Sequence, residues 1–105
     1  MKILDDEINE IKKNIENLSF SEILRQSRDK IGLIQYRTAQ FLGFGINRLK
    51  NLETGHFRAM PGWEEIESIC KFFELPKDIM TRKAEEHIKS RKETLNRTVR
   101  AYEKR

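Results

Sequence analysis

At 105 residues the chain is sized for one small domain, and 37% hydrophobic against 36% charged residues leaves little apolar surface for a single core, which favours further burial in a dimer. No apolar run reaches transmembrane length, and the single cysteine, Cys70, excludes an intrachain disulfide framework and a multi-cysteine zinc site. The net charge of +4 is mild but uneven: residues 20–58 and 77–105 hold the positive excess, and clustered Lys and Arg bind phosphate through counterion release.

In chain order, Leu4, Ile8, Ile11, Ile15 and Leu18 recur at spacings of four and three, which predicts a charged helix with one apolar stripe over residues 1–19. Such a stripe must be covered, either by the rest of the domain or by a second copy. The segment Met1 to Phe20 contains acidic residues and no continuous apolar core, unlike a signal peptide, so a cytoplasmic location is expected. Ser19 and Glu22 form an S-x-x-E capping box, so the next helix begins near Phe20, turns Ile23 and Leu24 inward and ends before Gly32.

A second helix is predicted over Gln35 to Leu42 and a third over Ile46 to Thr54, with Gly43 and Gly55 supplying the left-handed residues that stop them. Ala39 and Leu42 share the inner face of the one, Leu49 and Leu52 that of the other. Pro61 and Gly62 precede a helix whose Trp63, Ile66, Ile69, Cys70 and Phe73 repeat at helical spacing and are expected to complete the core, with Cys70 as a small buried hydrophobe. Pro76 restarts the chain. Residues 77–105 are helix-compatible throughout, and Ala84, Ile88, Leu95, Val99 and Tyr102 approximate a heptad seam on a basic helix. That seam either makes a dimer or wraps a partner while its cations track phosphates or an acidic surface, or it belongs to a solvated helix. The expectation is thus an all-α fold: an N-terminal helix over 1–19, a helix-turn-helix domain over 20–76 and a basic helical tail over 77–105.

Two short helices about a tight glycine turn, QYRTAQFLGFGINRLKNLETG from Gln35 to Gly55, are the parts of a helix-turn-helix DNA reader. With Leu24 and Arg28, Gly32-Leu33, Gln35, Ala39, Leu42-Gly43, Leu49, Leu52-Glu53 and Gly55 at their spacings, the segment Ile23 to Leu75 resembles the lambda-repressor-like (Cro/CI, XRE) helix-turn-helix family. The run Gly43-Phe44-Gly45-Ile46-Asn47, followed by Glu53 and Gly55, is similar to the DNA-binding half of MqsA-type antitoxins. The chain departs from the family pattern at Ile34, where a capping Ser or Thr is usual, at Thr38, where a larger apolar residue is common, at Gly45 in place of a Ser cap, and at a late Pro61.

On the third helix, positions 47, 50, 51 and 54 share one face opposite Leu49 and Leu52. Asn47 and Asn51 can each pair with the N6 and N7 edge of adenine, a contact worth about 1–3 kcal/mol of discrimination, and Lys50 can take a guanine or a phosphate. The antitoxin resemblance supports Asn47 as a base reader and position 51 as a contact, although an arginine is typical there. Gln35 matches the family position that binds the DNA backbone and braces the recognition helix. Tyr36 and Arg37 are expected beside it, with Arg48, His56 and Arg58 on flanking phosphates. Ile46 either touches a thymine methyl or folds back on Phe44. The family pattern makes Arg28 and Glu53 a structural pair, and His87 is expected to be exposed.

No Ser/His/Asp or Cys/His set, phosphate-cradling glycine loop or metal-spaced cluster appears, so no enzyme and no cofactor or metal is expected. The functional expectation is a cytoplasmic, sequence-specific transcriptional regulator that binds double-stranded DNA. By the resemblance it is a homodimeric repressor of the antitoxin or phage type acting on its own operon. The alternative is a protein-binding module, an antitoxin neutralising a cognate toxin protein, with DNA contact secondary and no membrane association.

Overall fold

The computed structural model describes residues 13–103, and beyond residue 94 its backbone alone. Among these residues the chain is all-α, with no strand: a short 3-10 turn, Ile15–Asn17, is followed by α1, Phe20–Ile31; α2, Gln35–Leu42; α3, Ile46–Thr54; α4, Trp63–Phe73; and α5, Lys77–Glu103. No described helix is long and apolar enough to cross a membrane.

The helix boundaries follow local chemistry. At the start of α1, Ser19 Oγ accepts from the Glu22 amide at 3.2 Å while the Ser19 amide donates to Glu22 Oε1 at 3.3 Å, so two otherwise orphan donors are satisfied. At the end of α2, Gly43 adopts φ +77°, a conformation that costs a residue with a Cβ about 1–2 kcal/mol. The chain enters α3 after three residues. The end of α4 is the exception, because Glu74 takes the same left-handed conformation with φ 56° despite its side chain. Glu65 opens α4 by accepting from the Gly62 amide at 2.8 Å.

Helix α1 packs against α3, α4 and α5, while α2 lies on α3 and α4. Phe20, Ile23 and Leu24 of α1 meet Leu49 and Leu52 of α3 and Ile69 and Phe73 of α4 in one continuous core. Thr38 of α2 is fully buried and tolerated there because its Oγ1 donates to the Ile34 carbonyl at 3.0 Å. The core reaches α5 through Met80, Ala84 and Ile88. The first two members of the tail's seam therefore pack on their own domain. The side chains of Leu95, Val99 and Tyr102 lie outside the described residues.

Of the N-terminal stripe, Leu4, Ile8 and Ile11 lie outside the described residues, whereas Ile15 is buried and Leu18 packs against the core. Two placements, Trp63 and His87, differ from the sequence expectation, and a third, Phe57, was not anticipated. Trp63 is 65% exposed rather than in the core, and Lys77 Nζ lies 4.3 Å from its ring centroid, a cation–π contact that suits an indole left in water. Phe57, in the loop after α3, enters the core instead, edge-on to Phe20 at 5.6 Å. His87, expected at the surface, stacks on Phe57 at 4.0 Å between ring centroids, with Nε2 3.2 Å from the Phe57 carbonyl oxygen.

Candidate nucleic-acid interface

Helix α3 is oriented by its apolar half. Leu49 and Leu52 have no exposed surface, and burying each contributes about 1.5–3 kcal/mol. With those two turned inward, Asn47, Lys50, Asn51 and Thr54 all project into solvent from the opposite side. At 3.6 residues per turn the four occupy an arc of about 100°. Ile46 is partly buried and packs against the core, as does Phe44.

Two carboxylate–guanidinium pairs hold the flanks of this helix. On one side Glu53, 2% exposed, accepts from Arg28 Nε at 2.8 Å, from Arg28 Nη2 at 3.0 Å and from Gln35 Nε2 at 3.2 Å. Arg28 also donates to the Leu33 carbonyl at 2.8 Å, so α1, the α1–α2 connection, α2 and α3 meet at one charge. Arg28 and Glu53 thus form a bidentate ion pair between α1 and α3, and Gln35 ties α2 to the same carboxylate.

On the other side Arg48 donates from Nε to Glu65 Oε2 at 2.7 Å and from Nη2 to Glu65 Oε1 at 2.8 Å. Hydrogen bonding from Arg48 holds the Glu65 carboxyl below its usual range; burial opposes this, and the Gly62 amide assists it. The same bond raises Arg48 above the ordinary arginine value, against its own burial. Arg48, expected on a phosphate, has its fork engaged by this carboxylate.

Around this polar face, Tyr36 and Arg37 are exposed on α2, tied to Gln40 through Gln40 Nε2 to the Tyr36 hydroxyl at 3.3 Å and Arg37 Nη1 to Gln40 Oε1 at 3.4 Å. His56 and Arg58 are exposed beyond the C-terminal end of α3, with His56 Nδ1 2.8 Å from Thr54 Oγ1. Arg91 of α5 donates to the Gly55 carbonyl at 3.1 Å, which places a cation at the negative end of the α3 dipole.

Several tail cations expected to face phosphates or a partner are spent inside the molecule. Arg82 pairs with Glu16 at 2.9 Å, Lys83 donates to the Glu16 carbonyl at 2.9 Å, and Lys77 covers Trp63. Lys89 and Lys92 remain exposed.

The roles of Glu65, Arg91 and His87 were not visible in the sequence. Glu65 carried one signal, an acidic residue at the third position of a helix, which marks a cap and says nothing of Arg48. Among the described residues no group of three His, Cys, Asp or Glu side chains is placed to hold a metal ion. Burial pushes the Cys70 thiol up to about 11, with Lys77 pulling it down.

The chain matches no family model, no curated protein and no solved structure. What the described residues define is an all-α fold in which α3, braced on both flanks, turns a polar face outward.

Proposed function

We propose that this chain is a sequence-specific regulator that reads double-stranded DNA through α3, on a lambda-repressor-like helix-turn-helix. The observation that carries the reading is the division of α3. Leu49 and Leu52 are wholly inside, while Asn47, Lys50 and Asn51 are together outside and free of core packing. Amide side chains on a rigid, exposed helical face are suited to base edges in the major groove, where a bidentate Asn–adenine pair contributes about 1–3 kcal/mol of discrimination. Around them Gln35, Tyr36, Arg37, His56 and Arg58 supply donors and charge for the phosphate backbone. The dimeric repressor of its own operon, of antitoxin or phage type, is the form in which such a domain works, with half-sites about one helical turn apart.

The test is selection from a random duplex pool with the full chain, at low and at near-physiological salt. Enrichment of an inverted repeat that survives the higher salt supports the reading. Binding that selects no sequence and vanishes with salt refutes it, since counterion release alone then accounts for the affinity.

A second reading is favoured by apolar side chains left in water. Ile34, Phe41 and Trp63 are each at least 60% exposed, and Phe41 stacks on Phe72 at 5.6 Å. In that reading the domain binds a protein, such as a cognate toxin, and DNA contact is secondary. The double substitution Asn47→Ala/Asn51→Ala separates the two, because it abolishes sequence preference and leaves a protein partner bound.

A further inference from the structure

We infer that Arg48 is a positioning residue: gripped by Glu65, it fixes the rotation of α3 about its own axis, and with it the sequence selectivity of Asn47, Lys50 and Asn51. The inference rests on the DNA reading above and assigns Arg48 a role other than phosphate binding.

The argument begins with where the two clamps sit on the helix. At 100° per residue, Arg48 and Glu53 lie about 140° apart, one on each side of the buried Leu49–Leu52 edge. Burial of Leu49 and Leu52 decides which face of α3 turns inward, but apolar contacts are non-directional and set the last few degrees of roll less sharply than directional bonds do. Bidentate guanidinium–carboxylate bonds are directional, and a pair on each flank opposes roll in both senses. Each clamp is anchored in a different neighbour: Glu53 in α1 and α2 through Arg28 and Gln35, and Arg48 in the first turn of α4 through Glu65. Glu65 is itself held by the Gly62 amide at 2.8 Å, which fixes its carboxylate at the start of α4.

Small rotations matter at the reading face. A side-chain tip about 5–6 Å from the helix axis moves about 1 Å for a roll of about 10°. That displacement takes a hydrogen bond of about 2.9 Å beyond its useful range. Phosphate contacts made by flexible, exposed Lys and Arg tolerate such a shift, whereas bidentate base contacts do not. Loosening the Arg48–Glu65 clamp therefore reduces discrimination more than total affinity.

The test uses the full chain with Arg48→Lys, which keeps the charge and loses the fork, and Glu65→Gln, which keeps the shape and loses the charge. Binding to the selected site and to a scrambled duplex is measured over a range of salt. An unfolded fraction weakens binding to both duplexes alike, so their ratio reports selectivity and not stability. Each variant is expected to lower the ratio about tenfold while the slope of log affinity against log salt stays at the wild-type value. A Glu65→Gln chain that binds both duplexes more tightly with a steeper slope would mean that the released Arg48 takes a phosphate, and the inference fails. A wild-type ratio in Arg48→Lys also overturns it. Residual dipolar couplings of the α3 amides in DNA-free Glu65→Gln judge the rotation by themselves. A changed α3 orientation relative to α1 supports the clamp and an unchanged one refutes it, whether or not the wild-type chain selects a sequence.

Discussion

Removing the Glu53 carboxylate strands a partly buried guanidinium, and the cost can be worked from the contacts. The Glu53 side chain is 1% exposed and accepts from three donors on two other helices. In Glu53→Ala, Arg28, with 14% of its side chain exposed, keeps the Leu33 carbonyl at 2.8 Å and Asp29 at 3.6 Å, but loses its bidentate partner. Breaking one side of a buried pair costs about 3–5 kcal/mol, and the remaining carbonyl and the partial exposure of Arg28 place this case near 3. Against a total of about 5–15 kcal/mol that is a large share. The midpoint temperature should fall by about 12–24 °C. Urea melts at neutral pH measure the loss directly. Replacing both partners, in Arg28→Met/Glu53→Met, leaves no buried charge stranded and should cost less than Glu53→Ala alone. A loss below about 1 kcal/mol in Glu53→Ala accompanied by lost DNA binding would refute the structural role and make Glu53 part of the interface. A double variant as unstable as the sum of its singles would refute the stranded-charge reasoning.

The remaining expectations concern the backbone and the buried thiol. Gly43→Ala should cost about 1–2 kcal/mol from left-handed strain alone, since an added Cβ meets nothing within 4 Å; a much larger loss in a chemical melt would reveal a packing role. Glu74→Gly is the converse case and should gain up to about 1 kcal/mol by the same measurement, with a destabilised variant arguing that the Glu74 side chain outweighs its strained φ of 56°. At pH 8 a thiol at about 11 carries roughly a hundredth or less of the thiolate of an ordinary cysteine. Iodoacetamide should therefore label Cys70 at least about a hundredfold more slowly in the folded chain than in urea, and equal rates would place Cys70 outside the core.

Much of the local architecture was legible before any tertiary structure. The ends of α2 and α3 coincide with the sequence expectation because Gly43 and Gly55 can enter a left-handed conformation at little cost, and α1 begins where Ser19 and Glu22 form their capping box. The outward face of α3 followed from the 3.6-residue period, once Leu49 and Leu52 were placed inside. These signals reach no further than about four residues along the chain, so they specify helices, caps and faces. They carry nothing about which helices meet.

What only the tertiary structure decided are the partners across that longer range. Arg48 is taken by Glu65, 17 residues away, and Arg91 finds the Gly55 carbonyl at a separation of 36. Phe57 had no helical period to mark it as core, yet the loop delivers it between Phe20 and His87. Trp63 had the period and stays outside, because it sits at the first turn of α4, where Lys77 and water cover it instead of another helix. The heptad spacing reads Ala84 and Ile88 as part of an association seam, and the packing of α5 on its own domain places them in the core instead. An apolar or charged side chain announces that it needs a partner. Which partner it receives depends on the angles and distances at which the helices close on one core.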